Sequence, residues 1–100
     1  MRTRRSLIDL DDLSAQEIES IFEQTSTFEA QPPGRLLEGV DAVNIFFEQS
    51  TRTFTSFNLA QLRLGANVVN LSPKDLSLAT KGETVEDTML TLSAMGICIV

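Results

Sequence analysis

Apolar residues recur along this chain with periods that change from segment to segment, and the changes mark out its elements. In LSAQEIESIFEQT, Ile18, Ile21, Phe22 and Thr25 fall at helical spacing, and Ser14 stands three residues before Glu17. That pair has the spacing of a capping box, in which each side chain satisfies the other residue's backbone N–H, so an amphipathic helix is predicted over 15–24. QPPGRLLEG, with two prolines and two glycines, cannot continue a helix and reads as a connector. In AVNIFFEQ, Val43, Ile45, Phe46 and Phe47 form a near-continuous apolar run, which suits a strand covered on both faces, as in a parallel sheet. Helical spacing returns between residues 53 and 64, where Phe57, Ala60 and Leu64 recur, and Gly65 follows where a C-terminal cap belongs. NVVNLS predicts a short strand, PKDLSLATKGE a polar loop, and TVEDTMLTLSAMG a helix with Val85, Met89 and Leu92 on one face. Thr84 is its expected cap, Glu86 and Asp87 suit the positive end of its dipole, and Gly96 stops it. ICIV reads as a last strand.

The order is helix, then β-α-β-α-β, which predicts an α/β fold with a parallel sheet flanked by helices and right-handed crossovers. A chain of 100 residues holds at most one domain with one core. Its last four residues are all apolar, so it stops inside what reads as a buried central strand, whereas domain termini usually reach the surface. Residues 1–100 are therefore expected to be the front part of a longer or a cut polypeptide.

Composition narrows the chemistry. A hydrophobic content of 42% with 22% charged residues is that of a globular protein. A net charge of −6 argues against sequence-independent binding to nucleic acid, which needs a basic face. The chain has no His, and Cys98 is its one thiol, so the commonest general base, histidine or thiolate metal clusters and an internal disulfide are all absent from it. The basic opening MRTRRS gives way to acids too soon for a signal-peptide core, and no run of about 20 apolar residues is present. A soluble, cytoplasmic domain is expected. Met89 and Met95 are expected in its core, and Cys98 as a small buried hydrophobe rather than a nucleophile.

The most informative stretch is FFEQSTRTFTSF, residues 46–57, where hydroxyl groups and an arginine collect behind an apolar run. In open parallel α/β folds, ligands bind beyond the carboxyl ends of the strands, where helix N-termini point. Ser50, Thr51, Arg52 and Thr53 fall at that place. Unpaired amides and the helix dipole attract an anion there, hydroxyls add donors, and a guanidinium can grip two phosphate oxygens. The plainer alternative makes Ser50 or Thr51 a helix cap and Arg52 a solvated charge. A second polar loop, SPKDLSLATKGET, brings Ser72, Lys74, Ser77, Thr80, Lys81 and Thr84 to the same edge of the sheet and favours the anion site, with Lys74 read as a surface charge.

The octet from Phe46 to Thr53, FFEQSTRT, resembles the carbamoyl-phosphate signature F-x-[E/K]-x-S-[T/G]-R-T of the aspartate/ornithine carbamoyltransferase family. RLGANVVNLS and SLATKGETVEDT resemble the same family at the expected distances, and KGET, residues 81–84, favours its aspartate branch over its ornithine branch. The resemblance covers essentially the whole chain and only the front of the enzymes, so residues 1–100 would be a carbamoyl-phosphate-binding domain incomplete at its C-terminal end. It implies carbamoyl transfer from carbamoyl phosphate to L-aspartate, giving N-carbamoyl-L-aspartate and phosphate, an early step of pyrimidine synthesis, without a cofactor. It implies that Ser50, Thr51, Arg52 and Thr53 hold the substrate phosphate, that Arg52 stabilises its charge on leaving, and that Thr53 reaches the carbonyl oxygen. Ser77 and Lys81 match loop residues that enter the neighbouring active site of a homotrimer, with Lys81 catalytic. Glu48 matches an interdomain glutamate that pairs with arginines of the aspartate domain. Regulatory or dihydroorotase-like chains are further partners the resemblance allows; nucleic acid and membrane are not. Phe54 departs from the arginine and Thr80 from the second lysine that many relatives carry, and Phe54 is read as a packing residue. The remaining arginine and histidine contacts and the aspartate domain would lie beyond Val100. An ornithine-type transferase and a catalytically silent anion-binding or assembly module are the alternatives.

Overall fold

The computed structural model describes residues 5–48, 50–75, 82 and 84–100, the side chain of residue 75 excepted. Residues 1–33 and 34–100 form two units.

In the first unit a short 3-10 turn, Leu10–Asp12, leads to helix α1, Ala15–Ala30. The expected capping box is present: the Glu17 N–H donates to Ser14 Oγ at 3.1 Å, and the Ser14 N–H donates to Glu17 Oε1 at 3.0 Å. Arg5 donates to the same carboxylate, which is pulled down to about 2 by that bond and by the Ser14 amide. The helix runs six residues past the predicted end at Gln24, because no Gly or Pro breaks the ladder before Pro32; Thr25 and Thr27 donate their hydroxyls to the carbonyls of Ile21 and Glu23.

The second unit contains β1 (Asp41–Ile45), α2 (Thr51–Arg63), β2 (Asn67–Leu71), α3 (Val85–Ala94) and β3 (Cys98–Ile99), with a 3-10 turn at Pro73–Asp75 after β2. The sheet is parallel with order β2-β1-β3, as the β-α-β-α-β alternation predicts. Asp41 pairs with Asn67 and Ile45 with Leu71 on one side, and Ala42 with Cys98 on the other. Among the described strands β1 is central, with β2 and β3 on either side of it.

The two faces of β1 differ in chemistry. Val43 and Ile45 are buried with Leu71, Met89, Leu92, Ile97 and Ile99 packed against them, so this face and α3 make the apolar core. On α3, Met89 and Leu92 lie inward as expected, while Val85 is exposed and Thr88 is buried in its stead, its Oγ1 without a hydrogen-bond partner among the described residues. Met95, expected in the core, follows the helix end and is 64% exposed. Cys98, expected to be buried, is exposed, with β1 as the one strand beside it among the described residues.

On the other face the expectation for α2 is overturned. Phe57 and Ala60 are exposed, Leu64 is half-buried, and the stripe facing the sheet is Phe54, Asn58 and Gln61, at intervals of four and three. Gln61 is the one buried residue of this helix. Two amides can occupy the interior because they satisfy one another: Asn44 Nδ2 donates to Gln61 Oε1 at 2.7 Å and Gln61 Nε2 to Asn44 Oδ1 at 2.9 Å. Gly65 ends α2 at φ +89°, a conformation that favours glycine, and the Arg35 side chain packs so closely that an added Cβ would lie 3.0 Å from its Cβ.

Candidate functional site

The strand β1 ends at Ile45, and α2 begins at Thr51 beyond the predicted apolar run. Phe46 and Phe47 lie outside the strand; Phe47 is exposed, while Phe46 is half-buried and meets Phe54 edge to face, centroids 5.4 Å apart at 87°. Phe54 is thus the packing residue expected of it, and it ties the first turn of α2 to the end of β1.

That first turn is organised differently from those of the other two helices. In α1 and α3 the N-cap hydroxyl is spent on the helix, Ser14 accepting from the Glu17 amide and Thr84 from the Asp87 amide. Ser50 holds the N-cap position of α2, yet its side chain makes no capping bond. The first intrahelical bond runs from the Phe54 amide to the Ser50 carbonyl at 2.9 Å, so the amides of Thr51, Arg52 and Thr53 precede the ladder at the positive end of the dipole. Ser50 thus holds the cap position without a side-chain capping bond, Arg52 is exposed, and a donor-rich turn faces solvent.

Beside it lies an open depression of about 940 Å³, bounded by the ends of β1 and β2 and the start of α2. Ser50, Thr51, Phe54 and Thr55 line it from the helix, Asn70, Leu71 and Ser72 from β2 and its end, and Glu48 and Lys74 bring one charge of each sign. Arg52 and Thr53 sit on the same turn, exposed, with side chains outside that lining. Lys74 is exposed as expected, but at the depression rather than on a remote surface. Ser77, Thr80 and Lys81 lie outside the described residues, and Thr84 serves as the cap of α3.

Sequence reasoning missed the amides. Asn44 Nδ2 also donates to Asn70 Oδ1 at 3.0 Å, and Asn70 Nδ2 reaches Asn58 Oδ1 at 3.4 Å, so an amide network runs from the buried strand to the wall of the depression. The signal was present in AVNI and VVNL: each strand interrupts an apolar run with Asn at the same place, and the register sets Asn44 opposite Asn70.

The fold is thus that of an α/β protein with an uncommitted helix N-terminus, carrying S-T-R-T, beyond the carboxyl edge of a parallel sheet, the place where such folds bind ligands. The chain belongs to the aspartate/ornithine carbamoyltransferase family: residues 5–100 match the model of its carbamoyl-P binding domain. The aspartate carbamoyltransferase catalytic subunit of Roseiflexus castenholzii is 48% identical over 99 residues, covering 93% of this chain and 30% of that protein. Its counterpart in Listeria innocua is 43% identical over 93 residues, with the same coverage of 93% and 30%. Among solved structures, the anabolic ornithine carbamoyltransferase of Campylobacter jejuni matches with TM-score 0.80 and 36% identity over 92% of this chain and 30% of that one. The aspartate transcarbamoylase of Trypanosoma cruzi, solved with carbamoyl aspartate and phosphate, matches with TM-score 0.76 and 35% identity over 90% of this chain and 30% of that one. The chain thus spans about 30% of the length of these relatives. Among the described residues no helix is long and apolar enough to cross a membrane.

Proposed function

We propose that residues 1–100 are the carbamoyl-phosphate-binding part of an aspartate carbamoyltransferase, and that the first turn of α2 holds the substrate's phosphate. The observation that carries this reading is the S-T-R-T turn whose N-cap hydroxyl and first amides are not consumed by the helix itself. Amides of Thr51, Arg52 and Thr53 and the hydroxyls of Ser50, Thr51 and Thr53 supply fixed donors, and the Arg52 guanidinium supplies a two-pronged cation for the dianion.

The chemistry asks for this kind of site. The aspartate amine attacks the carbamoyl carbon, a C–N bond forms, and the bond from that carbon to the oxygen bridging it to phosphorus breaks. Negative charge gathers first on the carbonyl oxygen, which Thr53 meets in this reading, and then on the departing phosphate, which Arg52 stabilises. The proton lost by the attacking nitrogen passes to the departing phosphate. Positioning and fixed charge accomplish this without a protein nucleophile. Ser77 and Lys81 complete the site from a neighbouring subunit of a homotrimer, and Glu48 pairs with an aspartate-binding domain.

The test is the Arg52→Ala variant of the full-length protein. Carbamoyl-phosphate-dependent turnover should fall at least about 100-fold while the unfolding temperature holds, since loss of one such donor typically costs that much. Near-parental turnover would refute the assignment. Because the ornithine enzyme of Campylobacter jejuni gives a close structural match, acceptor choice is tested separately. L-aspartate should be carbamoylated and L-ornithine should not; the reverse would move the chain to the ornithine branch.

A further inference from the structure

Resting on the reading above, we propose that Asn44 and Gln61 are positioning residues that fix where the phosphate-holding turn of α2 sits on the sheet. Gln61 is the sole buried residue of α2, and the stripe facing β1 is otherwise Phe54 and Asn58, both half-buried. Asn44 lies at the centre of the sheet and is fully buried at 0% exposure, and Gln61 is 7% exposed.

The two carboxamides exchange a pair of hydrogen bonds of 2.7 and 2.9 Å in opposite senses. Such a closed pair is satisfied at one separation and one orientation. Aliphatic side chains in the same place would tolerate a helix slid by a fraction of an ångström through small rotamer changes, whereas a displaced amide pair leaves buried donors and acceptors unmet. Phe54, seven residues before Gln61 on the same helix face, holds the N-terminal turn laterally against Phe46, but an edge-to-face ring contact constrains sliding along the axis less sharply than a closed amide pair does. Gln61 lies about 10 Å further along the axis at 1.5 Å per residue and opposes that motion from the interior, alongside the longer Asn70–Asn58 bond of 3.4 Å and the Leu37 amide that donates to the Leu64 carbonyl at 2.8 Å. The third bond of Asn44, to Asn70 at 3.0 Å, sets the wall of the depression in the same frame. One central side chain, Asn44, thus bonds both the helix whose first turn holds the phosphate and the strand whose end lines the depression.

The test uses the full-length enzyme with carbamoyl phosphate as the titrant. In Asn44→Leu/Gln61→Leu both polar partners leave together, so the fold should persist, and the exposed Asn70 amide turns to water. We expect an unfolding temperature within a few degrees of the parent, with the carbamoyl phosphate Kd raised and kcat/KM lowered by about tenfold or more, since small misplacements of a positioned group carry losses up to about 100-fold. A second pair of variants keeps the result decisive if the leucines impair folding. Gln61→Asn shortens one arm by a methylene and should weaken carbamoyl phosphate binding severalfold. Adding Asn44→Gln restores the summed length and should recover most of the loss. Parental Kd and kcat/KM in Gln61→Asn, or no recovery in the exchanged pair, would overturn the proposal. Arg52→Ala separates the two levels: if it abolishes binding while the amide variants leave it unchanged, the phosphate site stands and the positioning role falls; if Arg52→Ala binds normally, the site assignment itself falls.

Discussion

Arginine at position 52 is expected to act through shape as well as charge. Arg52→Lys keeps the cation but loses the planar fork, so turnover should be lower than in the parent and higher than in Arg52→Ala, as steady-state kinetics would reveal. Equal activity of the lysine and arginine forms would mean that only a diffuse positive charge is required. Ser50 and Ser14 make a useful contrast, because both occupy N-cap positions and only Ser14 spends its hydroxyl on the helix. Ser14→Ala should lower stability by about 1 kcal/mol. Ser50→Ala should leave thermal unfolding nearly unchanged and weaken carbamoyl phosphate binding instead; a stability loss as large as that of Ser14→Ala would mark Ser50 as an ordinary cap. Glu17 offers a test by pH. Hydrogen bonds from Arg5 and from the Ser14 amide bring its carboxyl down from 4.5 to about 2. A lowered value means that its contribution is present above about 4.5 and is lost as the pH falls toward about 2. An NMR titration should place its midpoint near 2, and Glu17→Gln should flatten the acid limb of the unfolding curve in that window; a midpoint at 4.5 would show the Arg5 contact to be absent in solution.

At the scale of elements, stops and caps were legible because they depend on one or two residues each. Ser14 with Glu17, Thr84, Gly65 and Gly96 all stand where the sequence places them. The inward faces were less legible. Periodicity weighs residues by hydropathy, so Phe57 and Ala60 drew the sheet-facing stripe of α2 to themselves, and Gln61, an amide, could be read as interior only by knowing that Asn44 would meet it. The same reason displaced Val85 in favour of Thr88 on α3. Met95 was misjudged because apolar character was read as burial, whereas a position past a helix end leaves the side chain in solvent. The site's backbone frame was legible from S-T-R-T. The depression's far wall was not, since Asn70 reaches it through strand pairing across 26 residues of sequence.

At the scale of the whole molecule, the parallel β2-β1-β3 order puts the ends of β1 and β2 side by side, and the start of α2 next to both. This adjacency is what the alternation of elements predicts, and it is shared with carbamoyltransferases at TM-scores of 0.76 to 0.80. If Lys81 acts across a subunit boundary, mixing full-length Arg52→Ala and Lys81→Ala subunits should restore part of the activity through hybrid oligomers that hold some intact sites. No recovery would confine both residues to one subunit's site. The most direct test of the central claim is a crystal structure of the full-length protein with carbamoyl phosphate bound. The phosphate should lie within hydrogen-bond distance of the Thr51, Arg52 and Thr53 amides with the Arg52 guanidinium against it; a phosphate lodged elsewhere, with Arg52 turned to solvent, would contradict the account.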